Sequence, residues 1–233
     1  MTRHVALVED EPAIRENYSD ALLKQGYIVA SYPNKSDAIN AFKQRLPDLV
    51  IIDIALGDDV EGGFDLCRYL RSISSSLPII FLTAKDSDFD VISGLRLGAD
   101  DYLTKDVSIH QILARVAALF RRIDALKDAN AKLDVHNVGD LSIDINSMTV
   151  KWKQEEVVLT LTEFWILNSL ARIPGHVKSR DQLMQDAKIF VDDGTVTSHV
   201  KRIRRKFETL DKDFDCIDTV YGMGYRWKTG NRS

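Results

Sequence analysis

Asp53 closes an apolar run, Leu49-Val50-Ile51-Ile52, and two more acids, Glu9 and Asp10, close another, Val5-Ala6-Leu7-Val8. Thr83 follows Ile79-Ile80-Phe81-Leu82, and Lys105 comes soon after Tyr102-Leu103. Functional groups of a parallel α/β sheet gather at the carboxyl ends of its strands, so these five residues can converge. Three carboxylates without a cation would repel one another. Together they make a hard oxygen cluster suited to Mg²⁺, which takes few protein carboxylates and keeps several waters. The chemistry such a set can do is phosphoryl transfer. Asp53 would attack phosphorus, Lys105 would supply a cation, and the Thr83 hydroxyl would bind a phosphoryl oxygen. Singly, each residue could do no more than cap a turn or a helix, or pair with a surface charge; in this order and spacing they point to one site.

The elements that must position them alternate through residues 1–122. Strand-like stretches lie near 4–8, 27–31, 49–53, 79–83 and 101–104, with amphipathic segments between, which implies a doubly wound, five-stranded parallel sheet. The chain of 233 residues is long enough for two modest domains. We expect domains at 1–122 and 138–233, with a linker at 123–137. No run approaches the ~18 apolar residues of a membrane span and the start lacks a signal-peptide core, so a cytoplasmic protein is expected. Cys67 and Cys216 fall in different domains and the five histidines are scattered, which suggests neither a disulfide framework nor a zinc site.

The net charge of −4 resides in residues 1–122, with 14 basic and 18 acidic residues, whereas 123–233 carries 17 of each. Within that balanced half, Lys201, Arg202, Arg204, Arg205 and Lys206 crowd together. No acid stands between Thr195 and Phe207, although a merely solvated helix face would usually mix them in. Val196, Val200, Ile203, Phe207 and Leu210 recur at helical spacing and form one apolar stripe. At about 100° per residue Ser198, Lys201, Arg202 and Arg205 point away from it, with Thr197 and Arg204 at one margin and His199 at the other. A helix buried along one side and basic along the other suits the DNA major groove. Strand-like pieces at 141–144, 149–152 and 157–159 precede three helical patterns and a terminal hairpin, an α+β order. Thr160 or Thr162 would cap the first helix and Ser179 the second.

The first domain resembles the receiver of two-component response regulators through Val8-Glu9-Asp10-Glu11, Ile52-Asp53, Leu82-Thr83-Ala84 and Gly98-Ala99-Asp100-Asp101-Tyr102-Leu103-Thr104-Lys105. The resemblance implies that Asp53 accepts a phosphoryl group from a sensor histidine kinase and that the Ala55 carbonyl joins Glu9, Asp10 and Asp53 at the metal. It also implies that Thr83 and Tyr102 relay the change to the face of the receiver's fourth helix, fifth strand and fifth helix. Relatives pair acids and bases across that face in a homodimer, and Asp100, Asp101, Arg115 and Arg122 are retained here. Val91 and Gln111 stand uncharged where relatives place a further ion pair. Residues 138–229 resemble the winged helix-turn-helix effector of the OmpR/PhoB family through Leu161-Thr162-Glu163-Phe164, Pro174-Gly175, Ser179-Arg180-Asp181-Gln182-Leu183, Ile203-Arg204-Arg205-Lys206 and Thr219-Val220-Tyr221-Gly222-Met223-Gly224-Tyr225-Arg226. It implies DNA contacts by Thr197, Ser198, Lys201, Arg202, Arg205 and Tyr221, with RNA polymerase as a further partner.

Several positions depart from the pattern. The loop Gly57-Asp58-Asp59-Val60-Glu61-Gly62-Gly63-Phe64 is about two residues longer and more acidic than usual, and Asp106 replaces the proline that usually follows the lysine. These two features look similar to regulators of proteobacterial dedicated sortase systems. Gly194 stands where many relatives have a phosphate-touching arginine, and Tyr221 where many have a wing arginine that enters the minor groove. The expected function is a phosphorylation-dependent DNA-binding transcription regulator, not an enzyme beyond its own phosphoryl transfer and dephosphorylation. A Mg²⁺-dependent phosphohydrolase of the haloacid-dehalogenase kind would need an acid where Ala55 stands. A DNA-binding regulator with a degenerate receiver is the other alternative, and the intact quintet argues against it. Between the domains, Ile112, Val116, Leu119, Ile123, Leu126, Asn130 and Leu133 keep a heptad spacing, so the last receiver helix is expected to continue to about Leu133 and could pair with a second copy.

Overall fold

The computed structural model describes residues 2–84, 97–128, 135–186 and 193–229. Two compact units emerge, Met1–Ala117 and Ala118–Ser233.

The first unit runs β1 (His4–Val8), α1 (Pro12–Lys24), β2 (Ile28–Tyr32), α2 (Lys35–Phe42), β3 (Leu49–Ile52), α3 (Gly62–Ile73), β4 (Ile79–Thr83), β5 (Asp101–Thr104) and α4 (Ile109–Asp128), the last crossing into the second unit. The strands make one sheet in the order β2-β1-β3-β4-β5, every pair parallel. β3, β4 and most of β1 are buried along their lengths, as continuous apolar runs in a parallel sheet require. Register brings the ends together: Val8 lies beside Ile52, Ile52 beside Phe81, and Thr83 beside Thr104. Glu9, Asp53 and Lys105 therefore leave the sheet along a single edge. The amphipathic segment expected between β4 and β5, with Val91, lies outside the described residues.

The second unit opens with an antiparallel sheet of β6 (Val135–Val138), β7 (Leu141–Asp144), β8 (Thr149–Trp152) and β9 (Glu155–Glu156). Helices α5 (Leu161–Ala171), α6 (Arg180–Asp186) and α7 (Asp193–Leu210) follow, then the hairpin β10 (Ile217–Val220) and β11 (Gly224–Trp227). β6 starts inside the stretch expected to be linker. It has no apolar alternation to betray it, and His136 is fastened to the Ala171 carbonyl at 2.9 Å. The strand expected at 157–159 is instead β9, a turn earlier. Helix α4 reaches Asp128, so it continues past Arg122 as expected; Asn130 and Leu133 lie outside the described residues.

The stripe of α7 is buried at Val196, Val200, Ile203 and Phe207, but Leu210, the last residue of the helix, is exposed. Phe207 stacks on Phe214 with centroids 4.5 Å apart, and Trp152 packs edge-on to Phe214 at 5.2 Å. This aromatic cluster, closed by Trp227, holds the basic helix against the sheet and hairpin.

Asp100 does not stand on an outer face as a dimer contact would require. Its side chain is fully buried, accepting from Arg71 Nη2 at 2.8 Å and from the Ile79 amide at 3.1 Å. Arg71 also donates to the carbonyls of Gly98 and Leu77, so one guanidinium ties α3 to both sides of β4. Asp100→Ala would leave that cation and a buried amide without their acceptor. We expect the receiver to lose about 2–4 kcal/mol in urea unfolding. The loss should persist at dilutions where the chain is monomeric; a loss that vanished on dilution would return Asp100 to an interface.

Candidate functional site

At the carboxyl edge of the sheet, Glu9 and Asp53 are buried and Asp10 is half-buried, with one carboxylate oxygen from each lying within 4.8 Å of the others. Lys105 Nζ stands 2.7 Å from Asp53 Oδ2 and 2.8 Å from Glu9 Oε2. Asp106, in place of the usual proline, does not keep the lysine away. Its carboxylate accepts from the Thr104 hydroxyl and so braces the turn. Arg15 on α1 donates to the carbonyls of Glu9 at 2.6 Å and Asp10 at 2.9 Å, fixing the loop that carries both acids. Thr83 is buried at the end of β4, and its carbonyl receives the Lys105 amide at 2.8 Å.

Burial pushes the Glu9 carboxyl above its usual range, and the hydrogen bond from Lys105 only partly offsets this. For Lys105 burial works the other way, but hydrogen bonds to Asp53 and Glu9 outweigh it and the ammonium is held more firmly protonated than a free lysine. Asp53 Oδ1 is buried with no hydrogen-bond partner among the described residues. A buried, unpartnered carboxylate oxygen beside two more carboxylates, with no soft ligand in the set, fits a hard cation such as Mg²⁺.

The long acidic loop folds back on itself. Leu56 and Asp59 exchange backbone hydrogen bonds around Gly57, whose φ of 66° needs glycine, and Lys35 on α2 binds Asp59 at 2.8 Å and Asp65 at 3.0 Å. Ala55, half-buried, sits between this turn and Asp53. Gly63 allows α3 to begin directly against the backbone that follows β3: a Cβ there would meet the Asp53 carbonyl at 2.1 Å. Tyr102 is half-buried against Phe81, with centroids 6.1 Å apart. Asp101 and Arg115 pair within the chain at 3.6 Å, and the Arg122 side chain lies outside the described residues.

On α7, Lys201 and Arg205 are exposed, as the helical spacing predicts; Ser198, expected to point outward with them, is half-buried, while of those expected at the margins Thr197 is exposed and His199 is fully buried. Arg202 is a correction. Its Nε lies 2.8 Å from Glu163 Oε1, its Nη2 lies 2.6 Å from His199 Nδ1, and 11% of its side chain remains exposed, so it faces the domain's interior and not the open side of the helix. Glu163 explains the turn inward. Fully buried, it completes a capping box with Thr160 at the start of α5 and needs counter-charges, which Arg202 and Lys206 Nζ, at 2.6 Å, supply. The signal was readable only in part: Thr160-x-x-Glu163 marks a cap, but nothing in its spacing says that the same glutamate binds α7. Burial alone would raise the Glu163 pKa; Arg202 and Lys206 outweigh it and hold the carboxyl below its usual value. Arg204 donates to the Ile217 carbonyl at 3.0 Å and to Thr219 Oγ1 at 2.8 Å, fastening the hairpin to α7. At the hairpin tip Tyr221 is 92% exposed.

Residues 5–117 match the response regulator receiver domain family, and residues 154–227 match the family described as transcriptional regulatory protein, C terminal. The transcriptional regulatory protein CreB of Escherichia coli (strain K12) is 35% identical over 225 residues, covering 95% of this chain and 96% of that protein. AfsQ1 of Streptomyces coelicolor, also named a transcriptional regulatory protein, is 38% identical over 224 residues, 94% of this chain and 96% of its own length. The solved response regulator DrrB, an OmpR/PhoB homolog of Thermotoga maritima, is 30% identical and aligns over 98% of this chain and 100% of its own with a TM-score of 0.53. The chain belongs to the OmpR/PhoB family of response regulators. It is a phosphorylation-dependent, DNA-binding transcriptional regulator, a receiver followed by a winged helix, rather than a classical enzyme. Among the described residues no helix is long and apolar enough to cross a membrane.

The Glu163 network sets a pH dependence. A carboxylate whose folded pKa is depressed contributes stability that is fully present above its unfolded value, about 4.3, and is lost as pH falls through the folded value. Glu163→Gln keeps the cap but leaves two cations without their anion. It should cost about 3–5 kcal/mol near neutral pH. Trp152, Trp165 and Trp227 all lie in the second unit, so tryptophan fluorescence during urea unfolding reads it directly. The gap between wild-type and variant stability should be constant above about pH 5 and should narrow steadily as the pH falls below about 4.3; a gap that stayed constant down to about pH 3 would contradict the assignment.

Proposed function

We propose that Asp53 is the residue phosphorylated by a sensor histidine kinase, with Glu9, Asp10, Asp53 and the Ala55 carbonyl holding Mg²⁺. The observation that carries this reading is the buried, unpartnered Oδ1 of Asp53 beside a lysine shared with Glu9. An oxygen of Asp53 attacks the phosphorus of a phosphohistidine; the new O–P bond forms as the P–N bond breaks, and the released imidazole takes up a proton. Mg²⁺, when bound, neutralises charge on the transferred oxygens. Lys105 then has a better partner than two carboxylates, and its ammonium turns to the phosphoryl group. The Thr83 hydroxyl binds a second phosphoryl oxygen, and the packing of Tyr102 changes with it. Hydrolysis of the acyl phosphate by water, held in the same site, resets the switch.

The readout is homodimerisation through a receiver face that includes Asp101 and Arg115, whose ion pair within one chain can be exchanged for the same pair between two, and Arg122. Two copies then present α7 to adjacent major grooves, where Thr197, Ser198, Lys201 and Arg205 contact DNA and Tyr221 approaches from the hairpin. RNA polymerase and a cytoplasmic location complete the proposal, and the acidic loop with the Lys105-Asp106 step favours the sortase-system branch of the family.

Treatment with a phosphoramidate and Mg²⁺ tests the core of it. Intact-mass measurement should show one added phosphate, absent in Asp53→Asn and in EDTA, and light scattering should show the labelled chain alone becoming dimeric. Unchanged labelling of Asp53→Asn would reject the acceptor, and labelled chain that stayed monomeric at all concentrations would reject the dimer.

A further inference from the structure

The hairpin that follows α7 ends in a three-residue turn, Tyr221-Gly222-Met223, between the paired Val220 and Gly224. The Met223 amide closes it onto the Val220 carbonyl at 2.9 Å, and Gly222 takes a φ of 74°. Both side chains of the turn point outward: Tyr221 is 92% and Met223 61% exposed. The rest of the domain thus leaves an aromatic ring and a thioether of one turn uncovered, apolar surface available to a partner.

The base of the hairpin is not free to swing. Arg204 of α7 binds the Ile217 carbonyl and Thr219, and the Tyr225 hydroxyl donates to Thr197 Oγ1 on α7 at 3.1 Å. The backbones of Lys178 and Tyr225 exchange hydrogen bonds at 2.8 and 2.9 Å, and a Cβ at Gly224 would strike the Lys178 carbonyl at 2.0 Å. Wherever α7 lies, the tip lies at a fixed offset. Should α7 occupy the major groove through Lys201 and Arg205, the tip is carried to the next feature of the duplex, a phosphate ridge or the adjacent minor groove.

Its chemistry chooses between them. A phosphate ridge asks for cations, yet the turn has none, and the guanidinium of β11, Arg226, is held across the hairpin by Asp218 at 2.8 Å. Nor can such a tip read the narrow groove of an A-tract, which attracts charged side chains. What a phenol ring and a thioether match is the flat apolar surface of bases, which a duplex offers from the minor groove only where a step opens. Pyrimidine–purine steps open most easily.

We propose that Tyr221 and Met223 form a wedge that enters the minor groove beside the recognition helix at a pyrimidine–purine step, partly unstacks it and kinks the DNA. The wedge selects targets by deformability. This rests on the assignment of α7 to the major groove and adds to it a second determinant with a different chemistry.

The test uses the full chain, phosphorylated with a phosphoramidate, and duplexes selected by it from a randomised library. The selected set should be enriched for TA or CA/TG steps at a fixed distance from the sequence read by α7, and end-to-end energy transfer should report a bent duplex. Tyr221→Ala combined with Met223→Ala should bind about tenfold more weakly, within what one base–aromatic stack contributes, and should lose both the bend and the step preference. Tyr221→Phe should keep all three. Lys201→Ala with Arg205→Ala should weaken binding to every duplex and flatten its salt dependence, leaving the step preference in place. An unbent wild-type complex, or a double alanine variant with wild-type affinity, bend and step preference, would overturn the wedge. A Lys201 and Arg205 variant that bound as well as the wild type would instead overturn the placement of α7, and the wedge with it.

Discussion

One ammonium between two carboxylates organises the receiver. Three acids gathered at the carboxyl end of a parallel sheet repel one another in a pocket with little water to screen them. Lys105 offsets that repulsion by lying against Asp53 and Glu9 together. Much of the surrounding structure holds this arrangement in place. Arg15 pins the Glu9 and Asp10 carbonyls, Gly63 lets α3 start against the Asp53 backbone, and Asp106 braces the turn from which the lysine extends. One lysine against three acids leaves the cluster short of positive charge, and Asp53 Oδ1 lacks a hydrogen-bond partner among the described residues. A divalent cation would supply positive charge that the cluster lacks, and in the proposed phosphorylation of Asp53 the phosphoryl group would give the lysine a new partner.

The winged helix repeats the same physics with the opposite sign. A single buried carboxylate, Glu163, caps α5 and draws Arg202 and Lys206 inward. Breaking such a pair on one side leaves an uncompensated buried charge, so the two cations stabilise the fold and are withdrawn from the outer face of the helix. The five basic residues of the helix thus divide: Lys201 and Arg205 stay outward, Arg202 and Lys206 anchor the helix to α5, and Arg204 anchors the hairpin to the helix. A density of positive charge in sequence overstated the charge available to phosphates.

What the sequence revealed and what it hid follow from range. The five strands of the parallel sheet and the convergence of Glu9, Asp10, Asp53, Thr83 and Lys105 at one edge were legible, because apolar runs mark buried parallel strands and functional residues collect at their ends. The stripe of α7 was legible for the same reason, except at Leu210. Asp100 and Arg202 were misplaced because a charged residue reads the same whether it meets solvent or a buried partner distant in sequence; Arg71 is 29 residues from Asp100. β6 was missed because its pairing with β7, and not its own residues, makes it a strand. The sequence marks the loop after Asp53 as longer and more acidic than usual, but not that Lys35 on α2 binds Asp59 and Asp65, a contact invisible to local pattern.

The balance of charge around Lys105 can be read at Glu9. Titration of its side-chain carboxyl by ¹³C NMR in the unphosphorylated chain should give a midpoint above the ordinary glutamate value of about 4.3, because burial outweighs the lysine. Lys105→Met should move that midpoint further up, and Mg²⁺ should bring it down in both proteins. A midpoint at or below the ordinary value, unmoved by Lys105→Met, would mean that the carboxylates are solvated separately and that the lysine does not hold them together.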